Sequence, residues 1–232
     1  MTAASTTRPG LFITFEGGEG AGKSTQVARL ADRLTAAGID PLKTREPGGS
    51  AFAERARDLL LDPASAPKWP LGQALLFNAA RSDHLDETIR PALEAGRWVL
   101  CDRFSDSTRA YQGVASGVPS ASLAKLDRIV VGGTQPQLTF LLDLDAKVGL
   151  ARADSRRTTA MPGTFVAVDT YEGRRLDFHQ RLRDGFLAIA KAEPERVVVI
   201  DAFQNELTVA DLIWRHVVER FGVDWPLAAR KI

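Results

Sequence analysis

Five short apolar runs punctuate the chain, at residues 11–15, 41–44, 98–101, 138–142 and 197–200. Each is short and bounded by polar or turn-forming residues, as in strands buried on both faces. Between them the apolar residues change to helical spacing. Val27, Leu30, Ala31 and Leu34 recur at turns of a helix. Ser50 reads as the N-cap of a helix running through Leu61. Residues 71–93 read as a long helix with Leu75, Leu76 and Ala79 on its apolar face, ended near Pro91. Residues 206–221 read as a last amphipathic helix. This alternation predicts an α/β domain, a parallel sheet of about five strands with helices on both faces. Ligands of such sheets bind beyond the carboxyl ends of the strands. Those ends carry Glu16, Arg45, Asp102 and Arg103, so these groups should share one crevice.

The stretch Gly17-Gly18-Glu19-Gly20-Ala21-Gly22-Lys23-Ser24, followed by Thr25, sits between the first strand and the first helix. It fits the phosphate-loop pattern without a mismatch and in the context the pattern requires. Its glycines free the backbone to turn its N–H groups into one concavity, and the helix N-terminus adds partial positive charge. Lys23 would reach the β- and γ-phosphates of ATP, and the Ser24 hydroxyl would hold Mg²⁺. Asp102 is the candidate acid for that metal. Asp145 is its rival but reads as the N-cap of a helix starting at Ala146.

Composition narrows the class. The chain has 232 residues, 44% of them hydrophobic, enough for one sizeable domain core. The expected organisation is a disordered N-terminus over 1–10, one domain over 11–221 and a C-terminal tail over 222–232. A net charge of +1 gives no global field for nucleic acid. Cys101 is the only cysteine, which precludes an intrachain disulfide and suits a buried thiol. No apolar run approaches the ~18 residues of a membrane span, and the N-terminus lacks the apolar core of a signal peptide. The cytoplasm is the expected compartment.

Other stretches carry polar groups without an evident core role. Phe77 and Arg81 are four apart on one helix face; on the residues alone they read as a core aromatic and a solvated arginine. Residues 107–113 are rich in hydrogen-bonding groups and read as a loop in contact with substrate. Arg152, Arg156, Arg157, Arg174, Arg175, Arg181 and Arg183 flank a segment at 158–168 with Pro162 and Gly163. Beside a triphosphate site this reads as helix, flexible loop and helix, an arginine-bearing lid at about 152–175.

Taken in order, these motifs resemble the thymidylate kinase family. They are 15–25, Arg45-Glu46-Pro47-Gly48-Gly49, 76–81, Asp102-Arg103, Ala110-Tyr111-Gln112-Gly113, Asp169-Thr170-Tyr171-Glu172 and Asp177-Phe178. The resemblance runs from about Phe12 to Phe221. It implies the nucleoside-monophosphate-kinase type of phosphate-loop fold, and phosphorylation of dTMP to dTDP with ATP and Mg²⁺. It assigns Phe77 to stacking on thymine and Arg81 to the thymine carbonyl, replacing the core and solvent readings. It assigns Arg45 and Arg103 to the dTMP phosphate, Thr108 and Gln112 to the base, and Tyr111 to the deoxyribose. Glu16 matches the acid beside the sugar 3′-hydroxyl and the metal. It also implies a homodimer.

No basic residue occupies the variable loop positions Gly18, Glu19, Gly20 and Ala21, so the catalytic cation is expected from the lid. Arg156 is the first choice and Arg157 the second, while Arg152 is the candidate for the adenine side. The competing readings are a kinase of another small acceptor, a GTP switch and a non-catalytic ATP-binding protein. The switch lacks its guanine motif, since Ala124-Lys125-Leu126-Asp127 starts with the wrong residue.

Overall fold

The computed structural model describes residues 10–159, 171 and 173–223, and for 156–159 the backbone only. The terminal segments 1–9 and 224–232 lie outside the described residues, as does most of the predicted lid loop at 158–168.

The five apolar runs form five strands: β1 (Phe12–Glu16), β2 (Leu42–Arg45), β3 (Val99–Asp102), β4 (Leu138–Asp143) and β5 (Val197–Asp201). All pair in parallel, in the order β2-β3-β1-β4-β5. Each ends one residue further on than its apolar run, because the polar terminal residue still belongs to the ladder. The register sets Thr44, Cys101 and Thr14 level across β2, β3 and β1, and then Arg45, Asp102 and Phe15. The polar strand ends therefore meet on one edge of the sheet.

Helix α1 (Lys23–Ala36) packs on α9 (Glu206–Phe221) over one face of the sheet. The core there includes Phe15, Leu30, Leu34, Leu100, Phe140, Ile213 and Val217. Helix α2 (Ala51–Leu61) starts at Ser50, whose hydroxyl accepts the Ala53 N–H at 3.3 Å, the expected N-cap. It packs on α3 (Pro70–His84).

Pro91 does not end that helical run. The chain widens into a π-turn over Leu85–Ile89 and restarts as α4 (Arg90–Glu94) with Pro91 in its first turn, where a missing N–H costs nothing. Of the predicted apolar face of α3, only Leu76 packs inward, against Ala53, Ala56 and Ala80. Leu75 is half exposed and Ala79 is exposed, while Gln73, Asn78, Arg81 and His84 are buried. Residues 107–113 are likewise helical rather than a loop: α5 (Ser105–Thr108) continues into a π-segment at Arg109–Val114. Then follow α6 (Ser120–Val130), α7 (Ala146–Thr159) and α8 (Leu176–Ala192). Asp145 caps α7 by accepting the N–H groups of Lys147 and Val148 at 2.9 and 3.4 Å.

Candidate active site

The phosphate loop is seated by close backbone approach. A Cβ on Gly17 would lie 2.5 Å from the Leu142 carbonyl, and one on Gly20 only 2.1 Å from that of Gly149 in α7. Gly20 and Gly22 take left-handed φ values of 69° and 91°, which a side chain would oppose. Around Gly18 and Gly22, by contrast, the space a Cβ would enter is open. The concavity so formed suits phosphate oxygens. Lys23 folds back over it and donates to the carbonyls of Gly17 at 3.1 Å and Gly18 at 2.8 Å. Burial first, and the nearby Arg103 next, lower its pKa to about 8. The Ser24 hydroxyl donates to the Asp102 carboxylate. A hydroxyl and a carboxylate side by side are a hard oxygen pair that fits Mg²⁺, an ion that otherwise keeps waters and phosphate oxygens. No cluster of three acidic, histidine or cysteine side chains suited to a metal occurs among the described residues.

Arg103 has the one positive φ, 70°, among described non-glycine residues, a conformation that costs on the order of 1–2 kcal/mol. That backbone aims its guanidinium at the loop, where it donates to the Gly17 carbonyl at 3.0 Å and to Glu19 at 2.8 Å. Glu19 also accepts the Tyr111 hydroxyl. Burial raises the pKa of Glu19, but Arg103, Lys23 and Tyr111 outweigh it and bring the value down to about 2.

A cavity of about 290 Å³ opens from this loop along the strand ends. One side is cationic. Arg45 is paired with Glu54 at 3.0 Å, and Arg57 of α2 donates to the Pro47 carbonyl at 2.8 Å. The far end holds Phe77, Arg81, Thr108, Gln112 and Tyr171. Arg81 is almost wholly buried yet charged, and its partners explain how. Its Nε donates to Glu46 at 2.7 Å and an NH₂ group donates to the Thr108 hydroxyl at 3.1 Å. Glu46 is held in turn by His84, whose second ring nitrogen meets the Thr44 hydroxyl at 2.7 Å. One end of the cavity can thus bind a nucleoside triphosphate, and the other an anionic acceptor with a flat ring.

The thymidylate kinase family model matches residues 15–213. A thymidylate kinase of Caulobacter vibrioides is 53% identical over 92% of this chain and 99% of its own length. One of Bradyrhizobium diazoefficiens is 49% identical over 91% and 90%. The crystal structure of thymidylate kinase from Ehrlichia chaffeensis superposes with a TM-score of 0.69 at 33% identity, over 90% of this chain and 99% of that one.

The chain belongs to the thymidylate kinase family. Its fold is the phosphate-loop nucleoside-monophosphate-kinase fold, and it is a kinase. Among the residues predicted for the site of this thymidylate kinase, Lys23, Ser24, Thr25, Arg45, Phe77, Arg81, Asp102, Arg103, Thr108, Tyr111 and Gln112 all line the one cavity. Glu16 does not. Its carboxylate accepts the N–H groups of Phe104 and Ser107 at 2.8 and 3.2 Å and the Ser107 hydroxyl at 2.6 Å, pinning the start of α5. Three acids line the cavity, Asp102, Glu46 and Glu19, and the sequence placed Glu19 only among the phosphate-loop residues.

Arg152 lies near the chain after β5, donating to the Ala202 carbonyl at 3.0 Å. Arg156 and Arg157 are helical in α7, with side chains outside the described residues. Sequence reasoning missed Arg57, Glu46 and Tyr171. Arg57 left one signal, a cation next to the buried stripe Ala53, Ala56 and Leu60 of α2, and Glu46 and Tyr171 left another, their places inside the family motifs.

Burial first, and the neighbouring Asp106 next, push the Glu16 carboxyl from the usual 4.5 up to about 7. The folded kinase therefore keeps a proton that the unfolded chain releases. The stability this contributes is complete below about pH 4.5 and is lost as pH rises through about 7. Glu16→Gln keeps the size and an acceptor oxygen but cannot titrate. Its urea midpoint is expected to fall less than that of the wild type between pH 5 and 7.5. Parallel curves for the two proteins would show that Glu16 titrates as an ordinary carboxylate.

Proposed function

We propose that ATP·Mg²⁺ is the phosphoryl donor, bound at the 17–25 loop, and that the acceptor's base lies between Phe77, Arg81 and Gln112. The reaction is the one that defines the family, phosphorylation of dTMP to dTDP. The observation that carries the assignment is the cavity itself, with a phosphate loop at one end, an aromatic and a buried arginine at the other, and Arg45, Arg57 and Arg103 between. A nucleoside acceptor would have no use for cations in the middle. A nucleoside monophosphate places its phosphate there, and planar guanidinium groups can bind its oxygens in pairs.

Lys23 and Arg103 would then meet the negative charge that spreads over the transferred group, which is where phosphoryl transfer is accelerated. Ser24 and Asp102 would hold Mg²⁺, which would supply positive charge to neutralise the phosphates. Glu19, fixed by Arg103 and Tyr111, is the acid on the sugar side of the acceptor. The segment at about 152–175 is the lid, and Arg156 or Arg157 supplies a further cation from α7.

The functional unit is a homodimer in the cytoplasm. No helix among the described residues is long and apolar enough to cross a membrane. The dimer is supported by α2 and α3, which pack together and leave Phe52, Leu59, Leu71 and Leu75 between 39% and 50% exposed. A second copy of this surface is the simplest cover for it.

Loss of base stacking costs about 1–3 kcal/mol. Phe77→Ala is accordingly expected to raise KM for dTMP about 5- to 150-fold and to leave KM for ATP nearly unchanged; a parallel rise in both would make Phe77 a core residue. An arginine finger contributes about 10³–10⁵ in kcat. At least one of Arg152→Ala, Arg156→Ala and Arg157→Ala should lose a large part of that, and retention of kcat within about tenfold, ~1.4 kcal/mol, by all three would move the cation elsewhere. Sedimentation should report a dimer for the wild type and a monomer for Leu75→Glu, whereas a wild-type monomer at micromolar concentration would reject the assembly.

A further inference from the structure

The side chain of Gln112 is buried at the base end of the cavity, and its direction is not a free choice. Its Nε2 donates to the Tyr171 hydroxyl at 2.9 Å. That hydroxyl donates to Gln73 Oε1 at 3.2 Å. Gln73 Nε2 donates to the Pro67 backbone carbonyl at 2.9 Å. The chain starts on an atom that can only accept. A carbonyl has no proton, so Gln73 must turn its NH₂ toward Pro67 and its oxygen toward Tyr171. The Tyr171 hydroxyl has a single proton, which goes to that oxygen. It must therefore accept from its other neighbour, and Gln112 must present its NH₂ there. Reversing any one amide would set two acceptors, or two donors, against each other in a buried place.

Gln112 Oε1 is left without a hydrogen-bond partner among the described residues, on a side chain that lines the cavity. Beside it, Arg81 uses three of its five N–H groups on Glu46, Asn78 and Thr108. The base end thus offers one acceptor from Gln112 and spare donors from Arg81. A pyrimidine with N3–H and a neighbouring carbonyl matches both. A pyrimidine whose N3 is an acceptor next to an amino group mismatches both.

We propose that Gln73 is a specificity-determining positioning residue of this kinase: through Tyr171 it locks the Gln112 amide so that the site accepts thymine and uracil and rejects cytosine. Gln73 does not line the cavity. The proposal rests on the reading of Gln112 and Arg81 as base contacts. A site whose buried polar groups are left unpaired by the wrong ligand rejects it by about 10⁴–10⁵, so the lock has a large ratio to protect.

The readout is the ratio of kcat/KM for dTMP to that for dCMP. Partial unfolding of a variant cancels in this ratio, because both substrates meet the same folded fraction. Gln73→Met and Tyr171→Phe each remove a link and free the Gln112 amide to turn, and each is expected to lower the ratio at least tenfold. Gln73→Glu, with its buried carboxyl protonated toward the Pro67 carbonyl, keeps an acceptor toward the Tyr171 hydroxyl and should keep the ratio within about threefold of the wild type. If Gln73→Met or Tyr171→Phe also keeps it within about threefold, or if Gln73→Glu loses it as fully as Gln73→Met, the lock is overturned. Gln112→Leu separates the two levels. If it spares the ratio, the base reading of Gln112 fails together with the proposal. If it lowers the ratio while Gln73→Met and Tyr171→Phe do not, only the lock fails.

Discussion

The site depends on the register of three parallel strands. Pairing Arg45 with Asp102, and Asp102 with Phe15, brings three strand ends level at one edge of the sheet. The phosphate loop leaves β1 there, and Arg103 leaves β3 there. A slip of one residue in β3 would turn Asp102 to the other face of the sheet and take it away from Ser24. The packing resists such a slip. β1 and β3 are buried on both faces, with Phe12, Ile13, Val99, Leu100 and Cys101 all inaccessible to solvent. A single error would misplace every one of these side chains.

Several buried or half-buried cations beside one another are costly unless each has a partner. The protein meets that cost with groups that a substrate could replace. Lys23 rests on two loop carbonyls, Arg45 on Glu54, Arg57 on the Pro47 carbonyl, and Arg103 on Glu19 and the Gly17 carbonyl. Phosphate oxygens are stronger acceptors than carbonyls and carry charge. Exchange of these partners for a nucleotide's phosphates would then favour binding. Arg81 is different. Glu46, His84 and Thr44 hold it from behind, so its remaining donors are fixed before any ligand arrives.

The strands were legible because a strand buried on both faces is a continuous apolar run. Their ends were read one residue short, because Glu16, Arg45, Asp102, Asp143 and Asp201 are polar yet still paired or aligned in the sheet. The phosphate loop was legible because its chemistry is local. The helices around the acceptor were not. Residues 107–113 look like a loop because few of them are apolar, but their polar groups face a cavity and one another rather than bulk water. Glu16 lies off the cavity lining for a related reason: its position at a strand end is visible in sequence, whereas the N–H groups of Phe104 and Ser107 that it accepts come from about ninety residues away.

Helix α3 shows why such misreadings gather at the site. Apolar residues mark the inner face of a helix only when the helix packs on an apolar core. Here only Phe77 and Arg81 of α3 line the cavity, while Gln73, Asn78 and His84 are buried among polar partners beside it, and Leu71 and Leu75 are outside. Each inner polar residue has hydrogen-bond partners, which makes the inversion affordable. The outer leucines have no such compensation in water. Roughly 25 cal/mol per Å² of apolar surface remains unclaimed there until something covers it. Residues that line or back the cavity and exposed leucines suited to a subunit contact therefore alternate along one helix. An association on the outer face would stiffen the same α3 backbone that carries Gln73 and Arg81 inside.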